Sequence, residues 1–408
     1  MKTTTLFVLS IFALANLSFS QSVEKKDSTS TPVFTKPVLP EIKDIEIIQM
    51  LQLWDVNTFE NAGNTAGQNR NDLYIRRGRI GARAKLRKDL SFWTILAYDG
   101  IGKDEKTASA GAPNPADNHD VFLWEMASSW TPKPMFNVTF GYFRPQIGRE
   151  NITAAFNCFT LEKSLPNFQP RLHFIGRNTG RETGINIGGL YSKPKWGINY
   201  NFGAFDMTNP ILVGTGNRWF PLLAARVAFT LGDAEMDKYK INYTQSYYGQ
   251  RNGVTLALNG TYQGKTEIFK SNSFYGVDLL ANFWRFDFVA EYDLLVRNSI
   301  IAAKDNNTFN STDKVYSFKA CYNHILSNGK IIQAAFMYSG QLAQDHGAKV
   351  SANDLTAATD QKVYDAGVNY LINKDKLKLS LHYVWGEKSD KNTAPKYSYL
   401  CTGLQYLF

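Results

Sequence analysis

Basic and apolar residues alternate one by one between residues 73 and 88. The two classes occupy opposite parities: Arg77, Arg79, Arg83, Lys85 and Arg87 against Ile80, Ala82, Ala84 and Leu86. Because successive side chains of a β-strand point to opposite sides, this pattern predicts a strand with one basic and one apolar face. At about 3.3 Å per residue the basic row would extend about 33 Å, close to the thickness of a bilayer's hydrocarbon core. Taken alone, the stretch also fits a surface strand of a soluble sheet.

Similar alternation recurs in segments of about ten residues along the rest of the chain. One segment places four large apolar residues on one parity: Phe122, Trp124, Met126 and Trp130. Another opposes apolar and charged residues: Trp284, Phe286, Phe288, Ala290 and Tyr292 against Arg285, Asp287, Glu291 and Asp293. Strands with one apolar and one charged face predict a barrel wall between lipid and a polar lumen.

The connections between the predicted strands alternate in length. Short turns rich in Pro, Asn, Asp or Gly lie at residues 87–89, 193–195, 327–329 and 373–375. Long polar loops lie at residues 102–120, 304–313 and 341–361. Short turns on one rim and long loops on the other are typical of outer-membrane barrels.

The first 20 residues have the pattern of a secretory signal peptide. Met1 and Lys2 precede an apolar run over residues 6–15, and Ser18-Phe19-Ser20 has small residues at the spacing of a cleavage site. We expect residues 1–20 to be removed, so that the mature chain starts at Gln21. Residues 21–44, rich in Ser, Thr, Pro and Lys, predict a flexible periplasmic leader, and residues 45–408 a single barrel domain. No later stretch reaches the roughly 18 uninterrupted apolar residues of a transmembrane helix.

Composition and charge agree with a membrane barrel. Aromatic residues make up 14% of the chain and hydrophobic residues 44%, which suits a wall with one apolar face and aromatic girdles. The formal charge is +9, and since Lys2 is the only charged residue before Gln21, cleavage lowers it by one to +8. The three cysteines, Cys158, Cys321 and Cys401, lack any metal-site spacing, and we interpret them as packing residues.

The last residues alternate up to a terminal phenylalanine. The residues on this parity are Leu400, Thr402, Leu404, Tyr406 and Phe408. The pattern resembles the C-terminal signature by which outer-membrane barrels are recognised for insertion. We therefore expect Phe408 to engage the barrel-assembly machinery.

Several stretches together resemble the phosphate-selective porin O and P family. The sequence RRGRIGARAKL at residues 76–86 is similar to the second-strand motif of that family. FGYFRPQIGRE at residues 140–150 resembles the strand that enters its constriction loop, and LEKS at residues 161–164 the acidic position within the loop. GR at residues 176–177 and GRETG at residues 180–184 resemble the glycine-rich return to the wall. The resemblance is clearest over about residues 73–190.

The resemblance implies an all-β, transmembrane antiparallel barrel of about 16 strands (14–18), assembled as a homotrimer, with an inward-folded constriction loop. It carries Arg77 and Arg79 over as residues that line the lumen. The basic stripe and positions in or beside the constriction add further candidates for an anion path: Arg83, Lys85, Arg144, Arg149, Arg171, Arg177 and Arg181. Glu150 and Glu162 are expected to pair with arginines and hold the loop. The family's lysine cluster for phosphate is not found by motif, so the sequence predicts a preference for anions rather than for phosphate specifically.

These features predict an outer-membrane porin of a Gram-negative bacterium, lodged in outer-membrane lipid, that passes small anions such as phosphate by passive diffusion. Fixed positive charge attracts anions into a narrow passage, and the guanidinium fork of arginine matches phosphate and carboxylate oxygens. A general diffusion porin, an organic-anion porin and a non-conducting structural barrel are the alternatives.

The sequence contains little that is typical of an enzyme. The histidines are scattered, and the chain has no His-Glu-x-x-His pair, Gly-x-Ser-x-Gly elbow or Walker loop. We expect no cofactor, metal or nucleic-acid partner. Two interpretations of His173 stay open, a charge that titrates in the pore near a pKa of about 6.5 and an ordinary polar loop residue.

Overall fold

The computed structural model describes residues 44–60, 69–103, 121–176, 179–209, 212, 221–301, 308–344, 360–389 and 396–408. The strands in these ranges are β1 (Asp44–Glu60), β2 (Arg70–Arg87), β3 (Leu90–Ile101), β4 (Phe122–Lys133), β5 (Phe136–Phe143), β6 (Glu182–Lys193), β7 (Trp196–Asp206), β8 (Leu222–Gly232), β9 (Gly253–Gln263), β10 (Ser271–Phe283), β11 (Phe286–Ile301), β12 (Thr308–Ile325), β13 (Ile331–Leu342), β14 (Asp360–Leu371), β15 (Leu377–Ser389) and β16 (Lys396–Leu407). Two short helices, α1 (Arg149–Ile152) and α2 (Leu165–Phe174), flank a 3₁₀ turn at Ala155–Asn157. No helix in the described ranges is long and apolar enough to span a membrane.

The predicted signal peptide and leader lie outside the described residues, apart from Asp44, with which β1 begins. The predicted packing role of the cysteines agrees with the structure, in which Cys158, Cys321 and Cys401 are buried and have free thiols.

The sixteen strands form one closed antiparallel barrel. Each strand pairs with its neighbours in the chain, and the first strand pairs with the last. At this closure Met50 lies opposite Leu407, and the backbone N–H of Gln49 donates to the carbonyl of Phe408 at 3.2 Å. Closure therefore leaves none of the sixteen described strands with a free edge. The predicted all-β antiparallel barrel of about 16 strands is confirmed.

The two faces of the wall differ as the alternation predicts. On β12, Lys319 is 0% exposed, whereas the neighbouring Phe318 is 44% exposed. On β11, the predicted charged face is buried and the apolar face is outside, with Glu291 buried and Tyr292 exposed. Buried polar side chains therefore face the barrel interior, and large apolar side chains cover the outer wall, as in barrels that sit in lipid.

One rim of the barrel carries most of the short connections, and we call it the short-turn rim. Two to five residues join β2 to β3, β4 to β5, β6 to β7, β10 to β11, β12 to β13 and β14 to β15. All four predicted short turns lie on this rim. The connection from β8 to β9 is an exception, because residues 233–252 form a longer segment that the regular alternation did not predict.

On the opposite rim, the prediction of a loop at residues 304–313 is partly wrong. Residues 308–313 belong to β12, since their backbone continues the ladder with β11, in which Ser311 lies opposite Arg297. Polar composition suggested a loop there, but a polar strand end that extends beyond the apolar band satisfies its backbone in the sheet.

Two β-bulges interrupt the alternation on strands close to each other in the wall. In β2, Ile75 and Arg77 pair with successive residues of β1, so that Arg76 is the extra residue. In β4, Leu123 and Glu125 pair with successive residues of β3, so that Trp124 is extra. A bulge brings two consecutive side chains to nearly the same side of a strand.

The sequence predicts that Trp124, Met126 and Trp130 lie on the same face of β4. This prediction is wrong because of the bulge. Trp124 lies on the interior side, against the guanidinium groups of Arg79 and Arg181. Met126 and Trp130, after the bulge, are on the outer wall and are 48% and 38% exposed. A single extra residue reverses the parity of everything that follows, and alternation alone does not reveal it.

The segment between β5 and β6, described at residues 144–176 and 179–181 and called here the 144–181 segment, runs inside the barrel. Its helix α2 packs against β10 to β13, and Phe174 meets Phe274 edge-on with ring centroids 6.0 Å apart. Farther along the wall, Asn369 of β14 donates to the carbonyl of Phe159 at 2.6 Å. The Lys378 ammonium of β15 donates to another carbonyl of the segment, at 2.9 Å. These contacts hold the segment across the interior.

Candidate functional site

A cavity of about 250 Å³ lies between β2, β3, β4 and the 144–181 segment. Seven cationic side chains line it: Arg76, Arg77, Arg79, Arg144, Lys163, Arg171 and Arg181. The other lining residues include two carboxylates and several aromatic rings: Asp99, Glu125, Phe122, Trp124, Phe156 and Phe168. Asn242 reaches the cavity from the 233–252 segment. Positive charge therefore dominates the lining.

The bulge in β2 directs two consecutive arginines to one carboxylate. The Arg76 guanidinium donates to Glu162 Oε2 through Nη2 at 2.5 Å, and Arg77 donates to Glu162 Oε1. Arg77 also donates from Nη1 to Gln52 Oε1 at 2.9 Å. Burial alone would raise the pKa of Glu162, but the charges of Arg76 and Arg77 outweigh burial and lower it to about 2. This ion pair joins the wall to the 144–181 segment.

A second pair of arginines is oriented by Trp124, the bulged residue of β4. The guanidinium carbons of Arg79 and Arg181 lie 3.8 Å and 3.7 Å from the centre of its ring. Asp99 accepts from both terminal nitrogens of Arg79, and Glu125 accepts from Arg181 Nη2 at 2.9 Å. A ring and a carboxylate on each guanidinium fix its plane.

Three of the lining cations have no carboxylate partner among the described residues: Arg144, Lys163 and Arg171. Arg144 Nη1 and Lys163 Nζ donate to the carbonyl of Thr153, at 3.0 Å and 2.6 Å. Arg171 lies over the Phe168 ring, and its Nε has no hydrogen-bond partner in the described part of the chain. Burial, and then the charges of Arg181 and Arg144, lower the pKa of the Arg171 guanidinium well below its usual value. An anion in the cavity would relieve this repulsion.

A family model covers most of the chain. The model for the phosphate-selective porin O and P family matches residues 50–256 and 316–408. The chain belongs to this family. Its members are channel proteins of the Gram-negative outer membrane, and the closed sixteen-stranded barrel agrees with that assignment.

Solved porin structures share the fold of this porin. The anion-selective porin from Comamonas acidovorans has 11% sequence identity and a TM-score of 0.57, over 90% of this chain and 99% of that one. The outer-membrane channel DcaP of Acinetobacter baumannii has 15% identity and a TM-score of 0.56, over 90% and 97%. OprB of Pseudomonas putida has 10% identity and a TM-score of 0.58, over 89% and 94%. At these identities the likeness concerns the fold alone. No curated protein matches the chain by sequence comparison.

The structure brings together five of the predicted site residues in the cavity of this porin: Arg77, Arg79, Arg144, Arg171 and Arg181. Three others lie elsewhere. Arg83 and Lys85 are nearer the short-turn rim, where their side chains are 43% and 63% exposed and approach Glu46 and Asp44 of β1. Arg149 is fully buried outside the cavity, with its nitrogens on Glu235 and Asp278. Arg177 lies outside the described residues.

Both predicted acidic residues connect the 144–181 segment to its surroundings. Glu162 binds two arginines, as expected. Glu150 binds a lysine instead, since Lys319 Nζ of β12 donates to Glu150 Oε2 at 2.9 Å. Gln245 donates to its other oxygen, Oε1, at 2.5 Å. Glu150 therefore links the segment to β12 and to the 233–252 segment.

His173 is a buried residue in the last turn of helix α2. Its Nε2 lies 2.9 Å from the carbonyl oxygen of Ser273, and its own carbonyl accepts from Asn272 and Arg297. Burial and the nearby charge of Arg297 lower the pKa of His173 well below 6.5. The side chain is therefore uncharged at neutral pH, which argues against a titrating charge in the pore.

The 233–252 segment of the porin also enters the barrel, from the short-turn rim. Glu235 accepts from Arg149 Nη1 at 2.6 Å and from Nη2 at 3.1 Å. Tyr243 forms an isolated parallel bridge with Thr153, and its carbonyl accepts from the Asn157 side chain at 3.2 Å. The two inward segments therefore meet inside the barrel.

Sequence reasoning missed several residues of the site: Arg76, Asp99, Trp124, Glu125, Lys163 and Asn242. Strict alternation places the neighbours Arg76 and Arg77 on opposite faces of the strand, and it assigns Arg76 to the outer face. The GR doublets indicated arginines as site residues. Lys163 lies within the LEKS stretch, in which only the acidic position was predicted to belong to the site. No local signal placed Asn242 near the other residues.

Proposed function

We propose that this porin passes small anions in preference to cations, and that phosphate and similar oxyanions are among its solutes. The observation that supports the proposal is the set of three cavity cations without a carboxylate partner in the described part of the chain. Four further cations share the cavity with only two lining carboxylates. Such a site attracts anions and raises the free energy of a cation in the same place.

The four cavity cations that have carboxylate partners suit the passage of an anion better than its tight retention. Glu162 partly neutralises Arg76 and Arg77, while Asp99 and Glu125 partly neutralise Arg79 and Arg181. A permeating oxyanion therefore exchanges water for several moderate contacts rather than for one deep site. Binding that is favourable enough to enter and weak enough to leave is the condition for conduction.

Organic anions are a second candidate solute class. Phe122, Phe156 and Phe168 line the cavity beside the guanidinium groups. Apolar rings next to cations fit a solute with an apolar body and a carboxylate. An aromatic or aliphatic carboxylate would then compete with phosphate for the same cations.

The porin is further proposed to be exported with cleavage after residue 20 and to assemble as a homotrimer in outer-membrane lipid. The alternating C-terminal strand, which ends in Phe408, supports recognition by the barrel-assembly machinery. The 144–181 segment, whose contacts cross the interior, is proposed as the constriction loop of each barrel.

Bilayer electrophysiology tests the proposed solute class. The purified porin is inserted into planar bilayers under a potassium chloride gradient, and the reversal potential is measured before and after phosphate is added. We expect an anion-selective current that submillimolar to millimolar phosphate blocks. Block by a carboxylate but not by phosphate would favour the organic-anion class, and a cation-selective current or none would contradict the proposal.

A further inference from the structure

The short-turn rim of the barrel is strongly basic. Its six short turns, counted with the strand-end residue on each side, contain nine lysines and arginines and two aspartates. One aspartate, Asp89, pairs with Arg87, and the other, Asp375, accepts a hydrogen bond from the Tyr248 hydroxyl. The other eight cations have no ion-pair partner in the described part of the chain, so the rim carries excess positive charge.

The hairpin between β6 and β7 places one of these cations on the outer wall and a second in its turn. Lys193 lies directly opposite Trp196, and residues directly opposite one another share a face of the sheet. Trp196 is 37% exposed on the outer wall, so Lys193 lies on the lipid side as well. The Lys193 ammonium is 5.4 Å from the centre of the Tyr191 ring, which precedes it on the same face. Lys195, in the turn itself, is exposed.

Aromatic rings form a continuous strip on the wall beside these lysines. The Trp196 ring contacts the rings of Tyr191 and Phe229, with centroids 5.5 Å and 6.1 Å apart. Phe229, on β8, is exposed on the outer wall. Aromatic side chains on the outer face of a membrane barrel lie at the border between hydrocarbon and head groups. Because a lysine stem can lie along such rings while its ammonium stays in water, Lys193 reaches the level of the head groups.

The adjacent turn, between β4 and β5, adds a third lysine. Lys133 is exposed and lies opposite Phe136, which is on the outer wall. The Pro134 carbonyl accepts from a backbone N–H of β6 at 2.9 Å. Gly189 of β6 permits this approach, because a Cβ at that position would lie 2.3 Å from the carbonyl oxygen of Met135. The turn therefore packs against β6, and its lysine lies beside the strand that carries Lys193.

We propose that Lys133, Lys193 and Lys195 bind the head group of an anionic phospholipid in the periplasmic leaflet of the outer membrane. The short turns of outer-membrane barrels lie on the periplasmic side, and the aromatic strip marks the edge of the hydrocarbon there. The inference depends on the outer-membrane location of the family and is independent of the proposed anion preference of the cavity.

An anionic phospholipid matches both parts of this surface. Its head group carries a net negative charge, and each lysine near an anionic membrane surface adds electrostatic attraction. Its glycerol backbone and acyl chains would lie along the rings of Tyr191, Trp196 and Phe229. A zwitterionic head group lacks the net charge, and a free phosphate ion lacks the apolar part that the rings would contact.

The test compares two double variants that remove the same charge at opposite rims. Lys193→Gln with Lys195→Gln alters the site and keeps both side chains long and polar. Lys265→Gln with Lys270→Gln, two exposed lysines in the connection between β9 and β10, is the matched control. Phosphatidylglycerol or phosphatidylcholine is titrated into the purified porin in detergent, and native mass spectrometry counts the lipids bound per chain. Circular dichroism checks that each variant is folded, and Lys133→Gln is measured as a second, single-site variant.

We expect wild type to reach half-saturation at a lower concentration of phosphatidylglycerol than of phosphatidylcholine. The site variant should raise the phosphatidylglycerol concentration for half-saturation about five- to thirtyfold, and Lys133→Gln about fivefold. Phosphatidylcholine binding should not change, and the control variant should behave as wild type. Equal phosphatidylglycerol binding by wild type and the site variant, or equal losses in the two double variants, would overturn the lipid site. Neither result bears on ion selectivity, which the reversal potential tests separately.

Discussion

Arg76 and Glu162 are joined by a hydrogen bond of 2.5 Å between Nη2 and Oε2, although 86 residues separate them in the chain. The contact exists because Arg76 is the extra residue of a β-bulge, which brings its side chain inside beside Arg77. One buried carboxylate of the 144–181 segment therefore holds two arginines of the wall. The bulge in β2 therefore helps to determine where the 144–181 segment is attached to the wall.

Removing this carboxylate should loosen the segment without preventing barrel formation. Glu162→Gln leaves two buried guanidinium groups without their counter-charge, and the loss of one partner of a buried ion pair costs about 3–5 kcal/mol. We expect a lower free energy of unfolding and noisier open-channel current. Glu46→Gln is the matched control, because Glu46 and Arg83 form an exposed pair worth no more than about 1 kcal/mol. Equal effects of the two variants would show that Glu162 does not hold the segment.

The same carboxylate predicts a pH dependence of stability. The folded pKa of Glu162, about 2, is lower than its ordinary value of 4.5. The stabilisation by Glu162 is therefore fully present above pH 4.5 and is lost as the pH falls through about 2. Denaturant unfolding should give a constant difference between wild type and Glu162→Gln from pH 5 to pH 8, and a shrinking difference below pH 4. A difference that already disappears near pH 5 would contradict the pairing.

Trp124 should affect how tightly an oxyanion is held rather than the sign of selectivity. Trp124→Ala removes the ring that orients Arg79 and Arg181 but leaves every charge in place. A cation–π contact contributes about 0.5–2 kcal/mol, so the phosphate concentration for half-maximal block should rise about two- to thirtyfold. Trp130→Ala, on the outer wall of the same strand, should leave the block unchanged. Unchanged block in Trp124→Ala would mean that the ring does not orient the site.

Glu235 should control the position of the second inward segment. Glu235→Gln removes one of the two carboxylates that contact the fully buried Arg149 in the described part of the chain, and Asp278 is then the other. We expect a loss of about 1–3 kcal/mol in unfolding free energy and faster proteolysis within residues 233–252. Asp237→Asn changes an exposed acid of the same segment and is the control. Identical cleavage rates for both variants would contradict the claim that the ion pair between Glu235 and Arg149 holds the segment in place.

Period-two alternation was enough to predict the barrel, because the face that a strand buries depends on residues that are close together in the sequence. The charged row of β11 lies on the interior side as the sequence indicates, with Glu291 buried and Tyr292 exposed. Turn residues predicted the short-turn rim for the same reason, since the backbone conformation of a turn depends on a few neighbouring residues.

The site could be predicted only in part, because its geometry depends on contacts between distant residues. The sequence identified Arg77, Arg144 and Arg181 as candidates, but not which of them would lack a carboxylate. The partners of Arg79 and Arg181, Asp99 and Glu125, are set by strand register and by bulges. Arg149 was expected in the anion path and instead anchors the 233–252 segment, whose inward course has no signature in the sequence.

The most direct test of anion preference removes one cavity cation that has no carboxylate partner in the described part of the chain. Reversal potentials are measured under a tenfold potassium chloride gradient for wild type, Arg171→Gln and Arg83→Gln, which lowers the charge equally outside the cavity. We expect an anion-selective wild type, a chloride-to-potassium permeability ratio reduced at least about twofold in Arg171→Gln, and no change in Arg83→Gln. A ratio in Arg171→Gln equal to that of wild type would contradict the claim that these cavity cations select anions.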